Sequence, residues 1–280
     1  MKKLLLVDGS NLLFQMFYGM PTRIVNSQGK AIQGTLGFVG ALLKIIKMSR
    51  PTHLVVLFDG EHENSRSKLN PEYKSNRIDY SQVTEEENPF SQLQDIYAAL
   101  DYMKIKHTES AEAETDDLIA SYVYTYGHEQ KVVIASFDSD FFQLISKNVS
   151  VLRYRGDKTY ICDTGFVKEK YNILPFQYAD FKSLTGDSSD NIKGADKVGP
   201  KTASILINTY GNLDNIFVNA HNIRKPSIRE SIMQNIERLK TNYTLIKLDG
   251  KENLPFTISE LLYDYNGATT YEVLQGIKLR

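Results

Sequence analysis

Nine acidic side chains fall where folding would gather them. Asp8 closes the apolar run 4–7, Asp59 follows the run 53–58, and Asp138 follows the run 132–137, with Asp140 two residues on. Glu114-Thr115-Asp116-Asp117 opens a helical segment, in which Glu114 and Asp117 share a face at i, i+3 spacing. Asp187 and Asp190 lie in Thr-Gly-Asp-Ser-Ser-Asp-Asn. Taken singly, each acid has an ordinary explanation as a turn residue after a strand or a cap at a helix start. Taken together at one site, they would repel and shift one another's pKa values unless cations held them ionised. The only cysteine is Cys162 and the histidines are scattered, so the ligand set is all oxygen, which selects Mg²⁺ or Mn²⁺ over zinc. Two such ions, about 3.5–4 Å apart, activate water and stabilise the leaving oxygen in an in-line phosphoryl displacement.

Convergence of these acids requires a particular scaffold. Residues 4–7, 53–58, 132–137 and 149–154 are short runs rich in Val, Ile and Leu and read as buried strands. Between them lie helical periods. The clearest is 35–48, where Leu36, Val39, Leu42, Leu43 and Ile46 form one stripe, and others lie at 92–103 and 116–126. Alternating strands and helices imply an α/β fold with a mainly parallel central sheet flanked by helices. In such a sheet ligands bind outside the carboxyl ends of the strands, which is where Asp8, Asp59 and Asp138 fall. Beyond about Tyr171 helical segments dominate, including 202–210 and 228–239, so an α/β core over 1–175 and a helical part over 176–280 are expected. Residues 61–88 stand apart as a polar, nearly aliphatic-free segment, long for a loop and so either functional or mobile.

Composition bounds the rest. An apolar content of 41% in 280 residues supports a folded core. The start MKKLLLVDG is too short in its apolar run for a signal peptide or a membrane span. A lone cysteine fits a reducing, cytoplasmic setting, and no membrane association is expected. The net charge of −1 argues by itself against nucleic acid, but if nine carboxylates gather at one centre the remainder of the chain is basic.

The ordered motifs LLLVDGSN, VVLFDG, EAETDD, SFDSD and LTGDSSDNIKG resemble the bacterial 5′–3′ exonuclease and flap endonuclease family, which includes the nuclease domain at the front of DNA polymerase I. The likeness covers nearly the whole chain. It implies a PIN-like fold with Asp8, Asp59, Glu114, Asp116, Asp117 and Asp138 around a first metal ion. Asp138, Asp140, Asp187 and Asp190 would surround a second. Every acid of the family's two clusters is present, implying an active nuclease of replication or repair. Departures from the pattern are Phe137 where a small residue usually stands, Ser139 where Lys is common, and Ile78-Asp79-Tyr80 with Glu85-Glu86-Glu87 in place of a proline-rich stretch. The chain ends at Arg280 with no room for a polymerase, so a standalone, monomeric enzyme is expected.

The resemblance further implies that 61–88 forms a helical arch over the active site, matching its signature at Tyr73-Lys74-x-x-Arg77. Lys74 and Arg77 would bind the scissile phosphate and offset charge in the transition state, Tyr73 would stack on a base, and Arg66 would add a DNA contact. Gly194-Ala-Asp-Lys-Val-Gly-Pro-Lys-Thr-Ala203 looks like the hairpin of a helix–hairpin–helix, with Gly199, Lys201 and Thr202 as phosphate contacts at the start of a helix. A potassium ion on the Val198 and Gly199 carbonyls is the corresponding family expectation. The implied partner is DNA carrying 5′ flaps, nicks or branches. Two rivals stand beside this reading: a PIN-type metal-dependent ribonuclease, and a DNA-structure-binding module without catalysis. The hairpin after Asp190 disfavours the first, and the complete acid set disfavours the second.

Overall fold

A computed structural model describes residues 2–20, 22–60, 65–110 and 114–279. Positions 61–64 of the expected arch lie outside the described residues. Six strands form one sheet: β1 (Lys3–Asp8), β2 (His53–Phe58), β3 (Lys106–Glu109), β4 (Lys131–Ala135), β5 (Val149–Arg153) and β6 (Tyr160–Cys162). Their order is β3-β2-β1-β4-β5-β6, with β1 to β5 parallel and β6 antiparallel at the edge. β1 and β2 are buried on both faces and accordingly carry unbroken apolar runs.

The two strands that the sequence did not announce are the edges. Lys-His-Thr-Glu in β3 and Tyr-Ile-Cys in β6 lack a sustained apolar run because only one neighbour pairs with each. β4 is shorter than the expected 132–137, because Ser136 and Phe137 leave the ladder. The Phe137 N–H donates to Asn11 Oδ1 (3.0 Å), and Arg153 Nη2 donates to the Phe137 carbonyl (2.7 Å). That diversion turns Asp138 toward the sheet's edge.

Helices cover both faces. α1 (Gly9–Gly19), α2 (Gln33–Ser49) and α4 (Leu93–Tyr102) pack with Leu5, Val7, Leu54 and Val56 on one side. α5 (Thr115–Tyr126) packs with Leu4, Leu6, Val55 and Leu57 on the other. After β2 comes α3 (Ser65–Leu69), the only α-helical turn among the described residues of the arch segment. The second face continues into α6 (Thr164–Tyr171), α7 (Tyr178–Thr185), a two-residue-per-strand hairpin of β7 (Gly186–Asp187) and β8 (Ile192–Lys193), α8 (Pro200–Tyr210) and α9 (Leu213–Val218).

The single helix expected at 228–239 is two, α10 (Pro226–Gln234) and α11 (Ile236–Ile246). Asn235 divides them: its side-chain amide donates to the Ser231 carbonyl (2.7 Å), a local bond that competes with the helical ladder. The chain does not stay helical to its end. Leu54 and Tyr263 exchange backbone bonds across to Leu261 and Thr52, and α12 (Thr270–Gly276) packs on α2 and α4, so the last stretch returns to the α/β core. No helix among the described residues is long and apolar enough to cross a membrane.

Candidate functional site

In this strand order β1 and β4 are neighbours whose connections run to opposite sides, and the crevice beyond their carboxyl ends is the natural ligand site of an open sheet. Asp8 ends β1 and also caps α1, accepting from the Asn11 N–H (3.0 Å). Gly9 is required beside it, because a Cβ there would stand 2.6 Å from the Phe58 ring. Ser136 binds the two sides together: its hydroxyl donates to Asp8 Oδ2 (2.8 Å) and accepts from the Asp138 N–H (3.0 Å). Asp59 accepts from the Thr115 N–H (3.2 Å), which anchors the start of α5 and with it Glu114, Asp116 and Asp117. A cavity of about 620 Å³ opens here, lined by Asp8, Asp59, Glu114, Asp116 and Asp138.

The acids of this group differ in what neutralises them. Asp8 is buried and pushed up to about 7, first by burial and then by Asp59, with Asp138 adding to it. Burial, with Asp138 and Asp8 close by, raises Asp116 well above the usual carboxylate range. Among the described residues neither acid has an ion-pair partner. Burial would raise Glu114 too, but Lys74 and Arg66 outweigh it and hold the carboxyl low. Its oxygens accept from Arg66 Nη1 (2.6 Å) and Lys74 Nζ (2.7 Å). Asp117 is clasped at both oxygens by Arg66 (2.7 and 2.9 Å) and does not line the cavity.

The second group forms where η-turn, helix and hairpin meet. Asp140, Asp187 and Asp190 each present a ligand oxygen, and the three oxygens lie within 4.8 Å of one another. Asp140 is pushed up to about 7 by burial and by Asp138, although Lys182 pulls the other way. Asp187 is held low against its burial by Lys182 and by two bonds from Ser189. Asp138 stands between the groups: its Oδ1 accepts from the Asp140 N–H (2.8 Å), and the Ser136 hydroxyl links its N–H to Asp8.

Buried carboxylates that lack a cation, in an all-oxygen set, fit divalent ions: ionising them is costly until such an ion is bound. Lys182, on α7, was not anticipated. Its ammonium bridges Asp140 and Asp187 from a side chain only 10% exposed. The available signal was a lysine set in the apolar helix directly before Thr-Gly-Asp.

The arch segment reads differently from expectation at two positions. Tyr73 does not offer a ring for base stacking: it is buried with Ala179, Ile192, Leu245 and Ile246, and its hydroxyl donates to Glu114 Oε2 (3.3 Å). Arg66 is buried on Glu114 and Asp117 instead of facing a DNA track. Both follow from one cause, the desolvated charge of Glu114, which needs donors around it. Lys74 and Arg77 do line the cavity, Lys74 bonded to Glu114 and Arg77 to Asp190 (2.8 Å). Opposite them, Phe14, Ile78, Tyr80 and Phe90 make an apolar wall in which the three rings meet edge-on at 5.3–5.6 Å.

The two hairpin glycines serve different ends. A Cβ at Gly194 would stand 2.4 Å from the Leu184 carbonyl oxygen, so this glycine lets two backbone segments touch. At Gly199 nothing lies within 4 Å; it is exposed at the start of α8 with Lys201 exposed and Thr202 half-buried beside it. The Gly199 carbonyl accepts from the Ala203 N–H (3.0 Å) as the first rung of α8, which leaves one of its two lone pairs. Among the described residues no backbone N–H is bonded to the Val198 carbonyl.

Comparisons with known proteins agree with this geometry. Residues 3–172 match the 5′-3′ exonuclease N-terminal resolvase-like domain, and residues 173–268 match the 5′-3′ exonuclease C-terminal SAM fold. A 5′-3′ exonuclease of Buchnera aphidicola is 29% identical, over 97% of this chain and 96% of its own length. The thermostable DNA polymerase I of Thermus aquaticus is 32% identical over 91% of this chain, which spans only 29% of that enzyme. Among solved structures, T5 D15 protein co-crystallised with metal ions superposes with a TM-score of 0.72 at 26% identity, covering 88% of this chain and 90% of the other. The two family models together account for residues 3–268, in which the carboxylate-rich sheet edge and the hairpin after it both lie: this chain belongs to the 5′-3′ exonuclease family of metal-dependent nucleases.

Proposed function

We propose that this chain hydrolyses DNA phosphodiester bonds near the 5′ end of flapped, nicked or branched duplex during replication and repair. The observation that carries the reading is Asp138, which is bonded to Asp140 and, through Ser136, tied to Asp8, in a cavity that Lys74 and Arg77 also line. Asp8, Asp59, Asp116 and Asp138, with Glu114 and Asp117 around them, are assigned to a first Mg²⁺ or Mn²⁺. Asp138, Asp140, Asp187 and Asp190 are assigned to a second. Bound there, the ions supply an activated water and stabilisation of the leaving oxygen.

The protein's own groups do the remainder. Lys74 and Arg77 now satisfy Glu114 and Asp190; with cations on those acids, both are released to hold the scissile phosphate. The wall of Phe14, Ile78, Tyr80 and Phe90 offers an apolar surface to an unpaired base beside that phosphate. The open N-terminus of α8, at Gly199, Lys201 and Thr202, anchors duplex phosphates without reading sequence. A potassium ion at the hairpin is assigned to the Val198 and Gly199 carbonyls, of which the first accepts no backbone N–H among the described residues. The buried, unpaired Cys162 supports a reducing, cytoplasmic setting, and the protein is assigned as a monomer.

The test is a 5′-labelled DNA flap and a matched RNA, each incubated with Mg²⁺ and with EDTA, and the products sized. Cleavage of the DNA near its 5′ end, lost in EDTA, is expected. Preferential cleavage of the RNA would move the assignment to a ribonuclease, and binding without cleavage would move it to a structure-binding module.

A further inference from the structure

The two carboxylate groups are unequal in one respect that bears on how they fill. In the first group Asp8, Asp59, Asp116 and Asp138 have no lysine or arginine at ion-pair distance among the described residues, and Arg66 and Lys74 are held on Glu114 and Asp117. Asp140, Asp187 and Asp190 have two. Arg77 on Asp190 is 53% exposed, so water and salt can replace it readily. Lys182 is buried, and its ammonium bridges the other two acids. It therefore places a positive charge on one oxygen each of Asp140 and Asp187, two of the three acids of the Asp140–Asp187–Asp190 triad, where a divalent ion would have to approach.

We propose that Lys182 is a built-in monovalent counter-ion of the second carboxylate group, which a divalent cation must displace, so that the two groups fill in a fixed order. The first group loads through the unpaired Asp8, Asp59, Asp116 and Asp138 without displacing a cation from them. The second loads weakly in the absence of DNA, because the arriving ion must expel an ammonium that the surrounding helices keep close. Once the substrate phosphate brings further negative charge to the site, ion and ammonium are both accommodated, and the second ion is held only when there is a bond to cut. Lys182 is thus a positioning residue acting through Asp140 and Asp187. This inference rests on the two-ion reading above.

The experiment titrates Mn²⁺ alone into the full chain without DNA and counts bound ions from the loss of the free-ion EPR signal. The chains compared are wild type, Lys182→Met, which keeps the length and removes the charge, and Lys182→Arg, which keeps the charge. Wild type is expected to bind one ion tightly and a second about tenfold or more weakly. In Lys182→Met the second dissociation constant falls by about tenfold while the first stays within about twofold, and Lys182→Arg keeps the wild-type spacing. A residue with a merely structural role would loosen the site on removal, not tighten it. Two bound ions with an unchanged or weakened second affinity in folded Lys182→Met overturn the proposal. A single ion bound by all three chains overturns the two-ion reading beneath it instead.

Should Lys182→Met not fold, wild type with ¹⁵Nζ-labelled lysine decides the matter by NMR under Mg²⁺ titration. The buried ammonium signal, assigned by its loss in Lys182→Arg, is expected to hold through the first equivalent and shift with the second. A signal unmoved at saturation overturns the proposal.

Discussion

The carboxylates at the strand ends and those around the hairpin carry the same chemistry on different supports. Asp8, Asp59 and Asp138 follow parallel strands whose register is fixed by a ladder running from Leu4–His53 to Asp8–Leu57 and from Lys3–Lys131 to Val7–Ala135. The charge of Asp8 is contained by burial, the Ser136 hydroxyl and the Asn11 N–H, so without a cation its energetic outlet is protonation. Asp187 and Asp190 sit on a hairpin of two-residue strands, and there the charge is contained by Lys182 and Arg77. A rigid frame can hold unpaired acids at the distances a metal needs. A short hairpin is held in place partly by the cations that pair with it.

The largest effect should come from the residue shared by both groups. Asp138→Ala is expected to lower the cleavage rate by about a thousandfold or more while flap binding, measured in Ca²⁺, stays near wild type. Near-normal turnover by a folded variant would separate the groups and end the comparison.

Next is the arch. Lys74→Ala should reduce kcat by about a hundredfold and weaken binding far less, since its proposed partner is the reacting phosphate. A loss confined to KM, recovered at high substrate, would make Lys74 a general phosphate contact.

The third prediction uses the raised acids. Asp8 and Asp140 titrate at about 7 in the fold against 3.8 in the unfolded chain, so between those values the native state binds more protons than the unfolded one. The ion-free protein therefore loses stability as pH rises through that window, and divalent ions, which require the ionised acids, restore it. The rise in Tm on adding Mg²⁺ should be several degrees larger at pH 8 than at pH 6. An equal rise at both would show that the bound ion does not rest on these carboxylates.

The smallest effect concerns the hairpin. With a potassium ion on the Val198 and Gly199 carbonyls, duplex-containing DNA should bind a few-fold more tightly in K⁺ than in Li⁺ at equal ionic strength, read by anisotropy with Ca²⁺ in place of Mg²⁺. Equal affinities would leave α8 as a plain backbone-amide anchor.

Much of this was legible beforehand because burial on both faces writes itself into a strand. The runs that became β1, β2 and β5 could be read directly, and the acids following β1 and β2 with them. β3 escaped because an edge strand can be polar, and the break at Asn235 escaped because one side-chain bond, not a proline, makes it. Gly194 and Gly199 look alike in the sequence. Only the approach of Leu184–Gly186 to the first shows that one glycine serves internal contact while the other faces open space.

By itself the sequence determined which oxygen ligands exist and that a parallel sheet would bring several of them to one edge, since period and apolar run length are local properties. Tertiary structure alone decided which charge answers which. Arg66 reaches Glu114 and Asp117 from 48 and 51 residues away, and Lys182 reaches Asp140 from 42. Such pairings depend on where helices pack and how deeply each acid is buried. A buried carboxylate recruits whatever donor the packed fold has brought near, and neither its depth nor that donor's distance is written in the spacing of the residues.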